Sequence, residues 1–86
     1  MNASKQSKLA KLNITPGCHV CRLTARPDGR PLLEPTTAQP VPYTPRSIGD
    51  ALLAAGLDDY EYVRVPWGLE LWKVGPDGLA HQAPRN

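Results

Sequence analysis

The sequence predicts a small α+β domain of order ββαββ. Three observations carry this: a capped helical stretch from Thr44 to Leu57, two apolar-rich strand segments directly after it, and a strand closed by a Pro-Asp-Gly turn before it. Eighty-six residues supply one domain and no second core. The composition divides the chain into a flexible basic arm over residues 1–14 and a single domain over residues 15–83.

The arm is polar, with Lys5, Lys8 and Lys11 spaced three apart and Leu9 and Leu12 between them. Thr15-Pro16-Gly17 breaks the chain before a strand from His19 to Ala25. Pro27 and Asp28 then suit a type I turn that Gly29 closes, which sets Leu23 opposite Leu33 and Arg22 opposite Glu34. Pro31 makes the return strand an edge. Glu34 to Pro45 contains four prolines and reads as an extended, polyproline-like connection.

Thr44 is the expected N-cap of the helix, with Pro45 at its first position. Ile48, Ala51, Leu52 and Ala55 fall on one apolar stripe. Gly56 ends the helix in the left-handed conformation, and Leu57 packs back on Leu52. Tyr60 to Val65 and Leu69 to Val74 follow as strands, with Pro66-Trp67-Gly68 read as a three-residue loop. That loop pairs Val65 with Leu69, Val63 with Leu71 and Glu61 with Lys73 on one face. On the other it pairs Arg64 with Glu70, Tyr62 with Trp72 and Tyr60 with Val74. The Val63, Val65, Leu69, Leu71 face is then the expected floor for the helix, and Tyr60, Tyr62 and Trp72 form an aromatic second face. A second Pro-Asp-Gly, Pro76 to Gly78, can fold Leu79 to Gln82 back as a short C-terminal edge strand.

Apolar residues make up 41% and aromatics 6%, with no Phe, so modest stability is expected and a homodimer interface would help. No apolar run reaches membrane-spanning length, and Met1 to Lys11 lacks the apolar core of a signal peptide. The expected compartment is the cytoplasm, with both cysteines as free thiols. The charge is uneven: residues 1–43 carry six Lys/Arg against two Asp/Glu, and residues 44–86 carry four against six. A basic partner-facing surface therefore belongs to the first half.

Cys18-His19-Val20-Cys21 is a lone C-x-x-C. A zinc site needs four ligands, and beside the thiols the chain offers only His19 and His81, so a metal would need a Cys₄ site shared across a dimer. The plainer reading is two reduced thiols on opposite faces of a strand, with no metal and no cofactor. No catalytic set of side chains and no Gly-rich phosphate loop is legible, so the chain reads as non-enzymatic. Arg22, Arg26 and Arg30 surround the first turn, and Arg26 opposes Arg30. Like charges so placed are unfavourable unless an anion satisfies them, which points to phosphate. Tyr60, Tyr62 and Trp72, with Trp67 at a loop tip, can instead stack bases or anchor a protein partner.

The cassette Pro45-Arg46-Ser47-Ile48-Gly49-Asp50-Ala51-Leu52, then Ala55-Gly56-Leu57-Asp58-Asp59, Val63-Arg64-Val65 and Gly68-Leu69-Glu70-Leu71 resembles the AbrB/MazE swapped-hairpin group. Gly49, Leu52 and Ala54-Ala55-Gly56-Leu57 are similar to its SymE branch. The resemblance covers about thirty residues. It implies a dimer of interleaved hairpins that contacts DNA through Arg22, Arg26 and Arg30. The insertion Glu34 to Val41, the absent Gly-Asp after the helix and the helix spacing depart from the group's pattern.

The first expectation is thus a non-enzymatic, dimeric nucleic-acid-binding regulator or antitoxin-like protein, with Arg22, Arg26, Arg30, Lys5, Lys8 and Lys11 as contacts. The alternative is a protein-binding accessory or inhibitor protein, of the kind phages and plasmids encode, anchored by Tyr60, Tyr62, Trp67 and Trp72. Ionic strength separates them, since phosphate-driven binding weakens steeply with salt.

Overall fold

The computed structural model describes residues 16–84, so the arm with Lys5, Lys8 and Lys11 lies outside the described residues. The chain runs β1 (Gly17–Ala25), β2 (Pro31–Pro35), β3 (Val41–Pro42), α1 (Pro45–Ala54), β4 (Glu61–Val65), β5 (Gly68–Val74) and β6 (Ala80–Gln82). The strands form one sheet in the order β2-β1-β4-β5-β6, every pairing antiparallel, with β3 on β1 beside β2. The class is α+β, as expected, and β6 occupies the place predicted for the C-terminal edge strand.

The element order differs from ββαββ because the proline-rich connection also contributes a strand. Val41 pairs with Cys18 and Pro42 with Gly17. The excursion between β2 and β3 is closed at Val20, whose carbonyl accepts both the Thr36 N–H at 2.8 Å and the Thr36 hydroxyl at 3.1 Å. Proline is tolerated there because β2 and β3 lie at the sheet edge, where a missing N–H removes no ladder bond.

Both Pro-Asp-Gly turns close alike. The Arg26 N–H donates to Arg30 O, the Gly29 N–H to Arg26 O, and the Arg30 N–H to the Asp28 carboxylate. Gly75, Gly78, Asp77 and Leu79 repeat this set of bonds. Gly29 and Gly78 have φ of 86° and 81°, the positive values this closure requires. In the second turn the Leu79 N–H, and then His81, hold the Asp77 carboxyl below the ordinary range.

The helix has the predicted ends. Thr44 Oγ1 accepts the Ser47 N–H at 3.1 Å, and Pro45 occupies the first turn. At the other end Gly56, with φ 71°, donates to Leu53 O, and Leu57 donates to Leu52 O at 2.9 Å, the paired bonds of a Schellman cap. Gly56→Val should therefore cost more than about 1 kcal/mol, because a β-branched residue resists positive φ. Thermal unfolding measures it, and an unchanged midpoint would contradict the cap.

The β4-β5 register is where expectation and structure part. Val65 pairs with Gly68, Arg64 with Leu69, Val63 with Glu70, Tyr62 with Leu71 and Glu61 with Trp72. Pro66-Trp67 is a two-residue turn, and Gly68, at φ 140°, belongs to the ladder. No carboxylate follows the proline here to close the wider loop as Asp28 and Asp77 do. The slip of one residue exchanges the faces of β5: Glu70 and Trp72 turn toward the helix, while Leu69 and Leu71 turn outward. Tyr62 therefore faces Leu71, and the expected Tyr62–Trp72 pair does not form. Coupling in a double-mutant cycle is now expected for Tyr62→Ala with Leu71→Ala, and additivity for Tyr62→Ala with Trp72→Ala.

The core consists of Cys18, Val20, Ile48, Ala51, Leu52, Val63, Val65, Trp72 and Ala80, with Val41, Tyr43, Leu57 and Val74 packed around it. Burying each large aliphatic among these stabilises the fold by about 1.5–3 kcal/mol. Both cysteines are free and buried, and only Cys18 belongs to the core cluster. Burial first, and the Glu70 charge second, push the Cys18 thiol up to about 11. An unfolded chain releases that proton near the ordinary thiol value while the folded one holds it, so stability is lost as pH rises from about 9 through 11. Cys18→Ala should flatten that limb by on the order of 2 kcal/mol in denaturant titrations. An unchanged limb would place the thiol in water.

Candidate binding surface

The slipped register builds an interior around a carboxylate. Glu70, 9% exposed, accepts the Tyr43 hydroxyl at 2.8 Å and the Trp72 indole N–H at 3.0 Å on Oε1, and the Trp67 indole N–H at 2.8 Å on Oε2. Tyr43 stands edge-on to both indoles, with ring centroids 5.0 Å from Trp67 and 5.7 Å from Trp72. The cluster ties the approach to α1 to the β4-β5 hairpin. Its donors satisfy a buried acceptor, as a charge at this depth requires.

The opposite sheet face is the candidate site. α1 covers one side of the sheet, and strand alternation places Leu23, Leu33, Tyr62, Leu69 and Leu71 on the other. Leu23 is 56% exposed, Leu69 51% and Leu71 36%. Leu23, Pro31, Leu33, Tyr62 and Leu69 line a groove of about 420 Å³, and Tyr62, Leu69, Glu70 and Leu71 continue into a second depression toward Gln82, Ala83 and Pro84. A contiguous apolar surface spanning β2, β1, β4 and β5 differs from single exposed leucines, which need no explanation.

The charged side chains that β4 and β5 place on this face are basic, and a carboxylate, that of Asp77, lies 3.4 Å from His81, which pairs with Lys73. Arg64 pairs with Leu69 at one end of the groove. At the other end Lys73 stands over the Tyr60 ring, 5.6 Å from its centroid. Glu34, Glu61 and Glu70 alternate onto the helix side. There, burial first and then Asp59 and Asp58 push the Glu61 carboxyl up.

The predicted site residues are dispersed. Arg26 and Arg30 oppose each other across the first turn, as expected, and Arg30 Nε lies 3.7 Å from the Asp28 carboxylate with both side chains largely in water. Such a pair contributes little. Arg22 stands apart on the helix side, opposite Glu34 and near Ala55. Of the aromatic set, Tyr60 and Tyr62 share the outer face. Trp72, 6% exposed, is in the core, and Trp67, 50% exposed, is tethered to Glu70. The three-residue loop assigns Leu69 and Leu71 to the core, whereas Leu23 and Leu33 are predicted as a facing pair, which the structure contains, with no signal in the sequence for the face they share. Among the described residues no three His, Cys, Asp or Glu side chains gather to hold a metal ion, and no helix is long and apolar enough to cross a membrane.

No family model, curated protein or solved structure matches the chain.

Proposed function

We propose that this is a non-enzymatic protein-binding module acting through the outer sheet face, an accessory or inhibitor component rather than a catalyst. The observation that carries the reading is the contiguous apolar surface of exposed Leu23, Leu69 and Leu71 with half-buried Leu33 and Tyr62, on the side of the sheet away from the helix. Among the described residues no element covers that side of the sheet, and the apolar area removed from water on docking supplies the driving force. Tyr62 adds an aromatic anchor at its centre.

The test uses Leu23→Thr/Leu69→Thr. Both side chains are more than half exposed and threonine suits a strand, so the variant should keep its melting temperature. Peptides selected by the wild-type protein from a display library should bind the variant at least about tenfold more weakly, a loss of about 1.4 kcal/mol. Equal binding would refute the reading.

The nucleic-acid reading is the second one, favoured by Arg26 opposing Arg30 and by the basic first half of the chain. It rests also on the resemblance to the swapped-hairpin group. Salt-sensitive binding to duplex DNA, lost in Arg22→Ala/Arg26→Ala/Arg30→Ala, would establish it in place of the first.

A further inference from the structure

Resting on the protein-binding reading, we infer that the outer face takes an acidic amphipathic peptide segment, whose apolar side chains fill the Leu23–Tyr62–Leu69 groove while its carboxylates meet Arg64 at one end and Lys73 at the other. Charge complementarity around an uncharged centre selects this occupant. The groove lining of Leu23, Pro31, Leu33, Tyr62 and Leu69 carries no charge. Arg64 borders it beside Leu69, and Lys73 is exposed beyond Leu71. Arg26 and Arg30, at the turn that ends the Leu23 strand, extend the basic border; Asp28 at that turn, and Asp77 beside His81 at the Lys73 end, offset part of it. The acidic residues of the same strands, Glu34, Glu61 and Glu70, alternate to the helix side, away from a carboxylate docked in the Leu23–Tyr62–Leu69 groove.

The same charges argue against the two other occupants at hand. Residues 1–14 of this chain include Lys5, Lys8 and Lys11 and no Asp or Glu, so the arm would bring like charge to Arg64 and Lys73. A second copy laid face to face would set one basic border against another. An acidic segment gains on both counts: burial of its apolar side chains, and steering by the basic border, which acts mainly on the rate and selectivity of association.

The test is selection of random twelve-residue peptides on three immobilised proteins: wild type, Arg64→Glu/Lys73→Glu and Leu23→Thr/Leu69→Thr. Wild type should enrich peptides that combine apolar residues with net negative charge, and a synthetic representative should lose about tenfold in affinity between low and high salt. The charge-reversed protein should enrich net-positive peptides instead, and the threonine variant should enrich neither. Selected peptides without charge bias, or with the same bias on the charge-reversed protein, would overturn the acidic partner while leaving the protein-binding reading in place. A wild-type dimer in sedimentation that the threonine variant dissolves would make the occupant a second copy and also overturn it. Enrichment equal on wild type and the threonine variant would instead refute the protein-binding reading.

Discussion

Glu70→Leu should lower stability by at least about 2 kcal/mol, and the melting temperature by about 10 °C or more, even though it replaces a buried charge with an apolar side chain. The carboxylate is the acceptor for the Trp72 indole, which is 6% exposed and cannot turn to water, and for Trp67 and Tyr43 at the rim of the core. A stranded buried donor costs about 1–3 kcal/mol. Glu70→Gln should cost less, because the amide oxygen keeps an acceptor while its NH₂ cannot replace the other. Thermal unfolding followed by circular dichroism ranks the three proteins. A leucine variant as stable as wild type would mean that the indoles do not depend on this carboxylate.

Gly49→Ala is expected to cost about 1–3 kcal/mol although alanine is the better helix former, by about 1 kcal/mol. Gly49 is buried in α1 where the helix crosses the β5-β6 turn. A Cβ there would press into the Gly78 carbonyl oxygen and stand 3.0 Å from the Ala80 nitrogen. Both obstacles are backbone and cannot rotate away. Leu53→Ala, on the same helix but 56% exposed, should stay within about 0.5 kcal/mol of wild type and serves as the control. If Gly49→Ala stabilised the protein, the close crossing of α1 over the β5-β6 turn would be wrong.

What could be read from the chain divides along physical lines. Local rules carried α1 and both Pro-Asp-Gly turns, because a Thr-Pro cap, a Gly-Leu end and an aspartate in a tight turn each satisfy backbone groups within a few residues. The β1-β2 register followed from such a turn. The β4-β5 register did not, since Pro66-Trp67-Gly68 resembles the other two turns in outline but lacks their aspartate. Pairing Arg64 with Glu70 looked favourable as charge against charge. The competing solution, in which Glu70 enters the interior to receive Tyr43, Trp67 and Trp72, depends on a tyrosine 27 residues away. No strand periodicity reports that contact. The candidate surface inherited the error, because the residues assigned to the core, Leu69 and Leu71, are those that the slip turns outward.

Which face of β5 is open therefore decides the account, and a two-dimensional NOE spectrum of the labelled protein reads it directly. The expected result is contact between the Tyr62 ring and the Leu71 methyls, together with contacts from the Trp72 ring to Tyr43 and a slowly exchanging Trp72 indole proton. Contact between the Tyr62 and Trp72 rings, with the Leu71 methyls against Ile48 or Leu52, would restore the three-residue loop, bury the proposed surface and contradict the account.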